Sequence, residues 1–408
     1  MTSETKEHIA AINSGIIPEG YKKTKVGIVP VEWDIENLKE LCEISSGNTP
    51  SRNRNNNFVG DNKWLSSGEL KSKYIYDSNE KISDEAASEL KTYQTGTVVI
   101  AIYGLEAEGV RGSCSILAVP CTISQACMAF EKFSKLHNEF FYYWYQFNGN
   151  TIGLRYAQGT KQQNLSSDIV EKLNVSVPPL TEQQKIAEIL STQDKLIELQ
   201  EKKIEQLKEL KKAYLQKMFP KKGSKYPELR FKGFTGAWEQ RKLIEIVKSI
   251  DTGKSKFQSD SDNGKFAILG STSIIGYDDS YDYDGDFILT ARVGANAGSL
   301  YRYTGKAKIS DNTVFIQTEK NIEFVYYMLT KFDIKQLSFG TGQPLVKASE
   351  LKNLDLKMPS QIEEQQKIGS FFSQLDTLIT LHQRKSEQEK QKKKALMQLL
   401  LTGIVRTK

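Results

Sequence analysis

Three histidines, four cysteines and a single Gly-Lys-Ser are the parts from which this 408-residue chain would have to build an active site. His8, His137 and His382 are too few and too scattered for Ser/His/Asp or Cys/His chemistry. Cys42, Cys114, Cys121 and Cys127 contain no Cys-x-x-Cys pair, so a zinc site is not expected and the thiols read as ordinary cytosolic ones. Gly253-Lys254-Ser255 lacks the glycine a phosphate-binding loop requires, because Lys248 stands at that position. The run "YDDSYDYDGD" reads as an acidic turn rather than a metal cluster. No Asn/Asp-Pro-Pro-aromatic motif of an amino-methyltransferase is present; Pro178-Pro179 follows Val177 and opens a helix.

The chemistry these residues do offer is recognition of a polyanion. Reading nucleic acid takes donors and acceptors for base edges and cations for phosphates. In the first half, "GNTPSRNRNNN" supplies Arg52 and Arg54 among several amides, with Lys63 close behind. "GTKQQN" supplies Thr160, Lys161, Gln162 and Gln163, and a second Gly-Thr brings Thr341 and Gln343. Further candidates in the second half are Lys254, Ser255, Lys256, Arg292, Asn296 and Arg302. Each has a plainer reading: a solvated loop for the arginines, a tight turn for the two Gly-Thr pairs. The aromatic stretches "FFYYWY" and "FVYYM" read as core-facing helices rather than stacking platforms.

What must position these loops is written twice. Glu-Gln-Gln-Lys-Ile occupies Glu182–Ile186 and recurs at Glu364–Ile368, 182 residues later. Upstream of each copy stand a Gly-Thr, a polar turn, a short amphipathic stretch, a strand-like alternation ("LNVSV", "LDLKM") and a proline (Pro178, Pro359). Further back "NEFFYYWYQF" pairs with "IEFVYYMLTKF", and "TGTVVIAIYG" with "DGDFILTARVG". Trp33 and Trp238, near the two starts, are 205 apart, so the first half holds about 23 extra residues. The middles alternate β-formers with Gly/Asn/Asp turns and read as α+β modules.

Each module closes on one long helix. Thr181–Phe219 is bounded by Pro178-Pro179 and Pro220, with Thr181 as the expected N-cap. Leu190, Gln193, Ile197, Gln200, Ile204, Leu207, Lys211, Tyr214 and Met218 step by threes and fours, as in a coiled-coil seam. The same seam 182 residues on is Phe372, Leu375, Ile379, His382, Ser386, Glu389, Lys393, Leu396 and Leu400. Neither stripe is apolar enough to stand alone, so each is expected to bury against the other. His382 then packs or pairs there and is no ligand, and "EKQKKKA" is a solvated face or a contact for phosphate or a partner. A helix of this length spans roughly 58 Å, a spacer between two recognition surfaces.

Composition sets outer limits. Lys+Arg 56 against Asp+Glu 50 gives a net +6 and a pI near 8.8, compatible with a polyanion partner but not diagnostic. The opening "MTSETKEHIAAINSG" does not read as a signal peptide, and no apolar run approaches the ~20 residues of a membrane span. A cytoplasmic location is expected.

Together these features resemble the DNA-specificity subunit of type I restriction–modification enzymes. The resemblance rests on the paired "PPLTEQQKIAEIL" and "PSQIEEQQKIGSFF", the Gly-Thr elements, "KTKVGIVPVEWDIENLKEL" and "PELRFKGFTGAWEQRKLIEI" opening the halves, and "SSGNTPSR". The second half departs from it where "DTGKSK" replaces "GNTP". The implied fold is α+β: two tandem mixed α/β target recognition domains separated by two long helices that pair as an antiparallel coiled coil, with pseudo-twofold symmetry from the duplication. The expected boundaries are an N-terminal extension at 1–20, domain 1 at 21–180, a first spacer helix at 181–219, a linker at 220–230, domain 2 at 231–360, and a second spacer helix with its tail at 361–408. The resemblance further implies that each domain reads half of a split double-stranded DNA site and that the chain itself is no enzyme and binds no cofactor. Two methyltransferase subunits and restriction endonuclease/translocase subunits would dock on the helix starts, at Gln183, Gln184, Lys185, Gln365, Gln366 and Lys367. S-adenosylmethionine, ATP and Mg would belong to those partners. A coiled-coil scaffold for a protein ligand and an autonomous modification–restriction enzyme are the alternatives.

Overall fold

A computed structural model describes residues 3–54, 56–106, 110–159, 163–256, 264–337 and 345–407. It divides into two compact units: unit 1 is Met1–Leu199 with Ser386–Lys408, and unit 2 is Gln200–Lys385. The division falls inside both long helices, Leu180–Lys217 and Ile362–Leu401. The compact bodies are therefore not the sequential segments of the repeat, because each is closed by the second half of a helix that begins elsewhere in the chain.

In unit 1 a five-stranded sheet runs in the order Glu43–Ser46, Cys127–Glu131, Val98–Ala101, Cys114–Leu117, Tyr74–Ile75, antiparallel except for its last pair. A three-stranded sheet places Asn62–Leu65 between Thr122–Ile123 and Glu80–Ile82. In unit 2 one six-stranded sheet contains Ser249–Thr252, Thr313–Thr318, Tyr283–Ala291, Leu300–Ile309, Phe266–Leu269 and Ile274–Asp278, in that order. The difference has a local cause. Leu300–Ile309 is one ten-residue strand, whereas its counterpart is broken into Cys114–Leu117 and Thr122–Ile123 around Pro120, which has no N–H to give a ladder.

Both modules enter and leave through adjacent strands. Asp34–Asn37 pairs antiparallel with Asn174–Val177, and Glu239–Lys242 with Asp355–Met358. Each module also carries an aromatic helix on its sheet, Asn138–Tyr156 in unit 1 and Ile322–Phe332 in unit 2. Phe140, Phe141 and Tyr143 in the first, and Phe324 and Tyr327 in the second, are buried core residues, as expected of core-facing helices. The unit 1 core joins them to Trp33, Ile186, Leu190, Met397 and Leu400; the unit 2 core joins them to Ile204, Leu207, Trp238, Phe372 and Leu375.

Within each unit the two long helices pack together in opposite senses. Gln193 Nε2 donates to the Glu389 carboxylate (2.6 Å) in unit 1; Gln200 meets His382 Nδ1 (2.7 Å) and Lys211 meets Asp376 (2.6 Å) in unit 2. Every seam position named above is buried or half-buried, while Glu198, Lys202, Lys203 and Lys212 are exposed. The helix start differs from expectation. The first helix begins at Leu180, so Thr181 lies inside it, and the Pro179 carbonyl takes the first N–H groups, from Glu182 (2.9 Å) and Gln183 (3.0 Å). It ends at Lys217, with Met218 and Phe219 turning into the unit 2 core.

The repeated Glu-Gln-Gln is a structural handover. Gln183 is fully buried; its amide donates to the carbonyls of Lys135 (2.9 Å) and Pro178 (2.8 Å) and accepts from the His137 N–H (2.7 Å). Gln365 repeats this, donating to Pro359 (2.9 Å) and accepting from Asn321 (3.0 Å). Neither is open to a partner, which corrects that expectation for Gln183 and Gln365. Gln184, Lys185, Gln366 and Lys367, on the opposite face, are exposed. Gln183→Leu should cost unit 1 about 1–3 kcal/mol, because three backbone groups lose their partner without gaining water. An unchanged urea midpoint would refute this role.

Candidate nucleic-acid interface

The loops that carry the candidate residues are stitched together by the same backbone bonds in both units. In unit 1 the Gly47 N–H donates to Cys127 (3.1 Å), Ile102 to Ala126 (2.9 Å), and Leu165 to Ile102 (3.0 Å). In unit 2 the Gly253 N–H donates to Thr313 (2.9 Å), Arg292 to Asn312 (3.0 Å), and Val346 to Arg292 (2.8 Å). Three segments thus converge at one end of each sheet: the "GNTP" or "GKSK" loop, the loop after the central strand, and the residues that follow Gly-Thr. Gly47 and Gly253 prove to be counterparts despite the different sequences around them. A Cβ on Gly47 would sit 2.2 Å from the Ile123 carbonyl, and one on Gly253 2.3 Å from the Ile309 and Ser310 carbonyls. Gly104 and Gly294, at the turn of the second segment, both have left-handed backbones (φ 74° and 89°).

This convergence gathers Lys254, Ser255, Lys256, Arg292 and Asn296 in unit 2. Lys254, Lys256, Arg292 and Asn296 are exposed, and the three cations form no ion pair among the described residues. Ser255 Oγ donates to Asp282 (2.9 Å), which fastens the loop to the acidic turn. That turn has its own cation: Lys308 and the Ser280 N–H hold the Asp278 carboxyl down at about 2. No group of carboxylates, His or Cys suited to a metal occurs among the described residues.

In unit 1 the corresponding cations are partly spent. Arg52 forms a two-point pair with Glu80 (3.0 and 2.9 Å) and lies over the Phe58 ring at 4.2 Å; this hydrogen bonding lowers the Glu80 carboxyl below its ordinary value. Arg54 pairs with Glu89 (3.4 Å), and Lys63 is half-buried on the Asn62–Leu65 strand, its carbonyl accepting from Thr122. Gln163 accepts from Arg111 (3.2 Å), and its N–H donates to Glu106 (2.8 Å). Thr160, Lys161, Gln162, Thr341 and Gln343 lie outside the described residues. Arg302 departs from expectation. Its guanidinium lies over Tyr326 (4.5 Å) and Tyr327 (5.5 Å) and lines a cleft with Ser373, Asp376 and Arg384 on the second long helix, away from the loop cluster. An arginine in a strand's alternating pattern carries no sequence sign of which face holds an aromatic helix.

Sequence reading also missed the groups that seat each module. Glu182 accepts from Trp33 Nε1 (3.1 Å) and from Arg406 (2.7 and 2.8 Å); Glu364 accepts from Arg230 (2.7 and 2.7 Å). Glu182 stands inside the repeated motif, so the signal was present, but its arginine lies 224 residues away.

The sequence model described as "Type I restriction modification DNA specificity domain" matches this chain twice, at residues 30–209 and 236–391. Among curated proteins, the type I restriction enzyme MjaVIII specificity subunit of Methanocaldococcus jannaschii is 24% identical over 96% of this chain and 97% of its own length. The MjaIX specificity subunit of the same organism is 24% identical over 95% and 96%. Among solved structures, the S subunit of a type I restriction-modification system from M. genitalium matches with a TM-score of 0.62 at 16% identity, covering 92% of this chain and 96% of that one. A second, from work on complex assembly and conformational transition of the type I R-M system, gives 0.56 at 16% identity over 92% and 99%. The mixed α/β fold is shared with both.

Proposed function

We propose a division of labour for this chain, which belongs to the type I restriction–modification DNA specificity family: it reads DNA and leaves catalysis to its partners. Each unit reads one half of a bipartite, asymmetric double-stranded site through its converged loops. The observation that carries this reading is the repetition of that three-segment convergence, bond for bond, around different side chains. A fixed frame with divergent loops is what two readers of different half-sites require. Lys254, Lys256 and Arg292, exposed and without an ion pair among the described residues, suit phosphates and base edges. The paired long helices act as a coiled-coil spacer.

The same helices offer docking faces in duplicate. Leu196 and Leu199 are exposed on the first, and Leu378 and Leu381 are exposed on the second, at the equivalent positions. Exposed Gln184 and Lys185 likewise match Gln366 and Lys367. Two near-equivalent faces suit two copies of one methyltransferase subunit, with restriction/translocase subunits completing the assembly. S-adenosylmethionine, ATP and Mg then serve those partners, which methylate one adenine per half-site in the cytoplasm. Base flipping is likewise the methyltransferase's task.

The test is binding of the chain with its methyltransferase to DNA at graded salt, followed by methylome sequencing of a host that carries both. The reading expects a steep fall of affinity with salt and modification of one split motif. Lys254→Gln with Lys256→Gln should lower the slope of log K against log salt by about two, near 0.9 per phosphate. Salt-independent binding, or modification without a split motif, would favour a protein-binding scaffold instead.

A further inference from the structure

Outside the reading loops, one constellation of side chains is built twice. In unit 1, Tyr143 OH donates to Asp194 Oδ2 (2.7 Å), and Lys393 Nζ pairs with Asp194 Oδ1 (2.6 Å). In unit 2, Tyr327 OH donates to Asp376 Oδ2 (2.6 Å), and Lys211 Nζ pairs with Asp376 Oδ1 (2.6 Å). Each lysine also lies over the ring of its tyrosine, at 5.4 and 5.2 Å. Asp194 and Asp376 are 182 residues apart, as are Lys211 and Lys393. The same three residue types meet in the same geometry, although the modules around them have diverged.

The three partners come from three elements. The tyrosine sits on the module's aromatic helix, the aspartate on one long helix, and the lysine on the other. A further cation, on a sheet strand or just before one, joins each set by a different route. Lys73 donates to Tyr143 OH (3.2 Å) and Ser191 (3.1 Å), while Arg302 lies over Tyr327 and lines a cleft with Ser373 and Asp376. Ser191 and Ser373 are again 182 apart.

The side chains of these ion pairs are only 16–30% exposed, so each aspartate is held between its two donors partly out of water. Burial of the surrounding aromatics holds the elements together, but that attraction has no direction. A carboxylate that accepts from two fixed donors does have one. The aromatic helix packs on the strands that lead directly into the reading loops, Val98–Ala101 in unit 1 and Tyr283–Ala291 in unit 2. A small rotation of that helix on its aspartate is therefore passed to Ile102 or Arg292.

We propose that Tyr143–Asp194–Lys393 and Tyr327–Asp376–Lys211 are positioning residues, each fixing the pitch of one recognition module on the helix pair and so its discrimination of one half-site. This rests on the bipartite reading above. The experiment uses the full chain in complex with its methyltransferase partners. Three duplexes are compared: the complete site, and two in which one or the other half-site is scrambled. Asp194→Asn and Lys393→Met should each lose about tenfold in affinity for duplexes that keep the unit 1 half-site, the factor of a charged hydrogen bond. Both should match wild type where that half-site is scrambled. Lys393→Arg should retain wild-type affinity, and Asp376→Asn should show the mirror pattern. Thermal unfolding, read in parallel, should shift by no more than a few degrees. Equal losses on both half-sites, no loss at all, or losses that track the unfolding temperature across the series would overturn the proposal. If wild type is indifferent to scrambling of either half-site, the bipartite reading itself fails.

Discussion

Glu364→Ala should destabilise unit 2 by about 3–5 kcal/mol, the usual result of removing one partner from a buried ion pair. The Glu364 side chain is 1% exposed and that of Arg230 16%, and both carboxylate oxygens are taken by the guanidinium. Without the acid, Arg230 keeps only the Gly236 carbonyl (2.7 Å) among the described residues and carries an uncompensated charge in a half-dry site. Urea unfolding followed by fluorescence reads the effect, since Trp238 is in unit 2 whereas Trp33, Trp64 and Trp144 are in unit 1. A drop of that size moves the midpoint by a molar or more, at about 1–3 kcal/mol per molar urea. Glu182→Ala should act on unit 1 in the same way. It should also strand Trp33 Nε1, a bond that Trp238 does not have. Glu364→Met with Arg230→Met should recover most of the loss, because the cost lies in the orphaned charge. A Glu364→Ala midpoint equal to wild type would show that the pair is relaxed by water.

On the bipartite reading proposed above, replacing residues 38–173 by residues 243–354 should yield a chain that reads the same half-site twice. The cut points are given by the structure. Asn37 pairs with Asn174, and Lys242 with Asp355, so each module's ends lie side by side and the exchange leaves both framing strands in place. The incoming module brings Tyr327 to where Tyr143 stood, opposite Asp194 and Lys393, and so finds its seat. Affinity for the original site should fall by a thousandfold or more, given about 1–3 kcal/mol for each mismatched base pair. Methylome sequencing of a host carrying the chimera should show a repeated half-site. A motif unchanged, or altered in both halves, would refute assignment of one half-site to each module.

Much of the frame was legible in the sequence because it is local and periodic. The seam at every third and fourth residue, the prolines before each helix, and the alternating strands are decided by neighbours within a turn or two, and the seam residues are buried or half-buried. The duplication made these signals doubly visible. It also aligned Lys211 with Lys393 in the two copies of the seam, whereas the equivalence of Asp194 and Asp376 emerged only from the structure.

Tertiary structure decided what the conspicuous residues do. Gln183 reads like a docking residue, yet it is buried because three backbone groups at the module's exit need an amide. Arg52 and Arg302 read like DNA contacts, yet one is spent on Glu80 and the other stacks on Tyr326. Gly47 and Gly253 are followed by different loops but meet equivalent carbonyls, of Ile123 and Ser124 and of Ile309 and Ser310. In each case the deciding partner lies far away along the chain, and a side chain's charge says nothing about which distant group will neutralise it. The sequence by itself determined the repeat and the helices, since these depend on period and spacing, and its paired motifs carried the family resemblance. Which of the candidate cations pair within the chain was decided only by long-range packing, because an ion pair forms where the fold brings two groups within about 3 Å of each other.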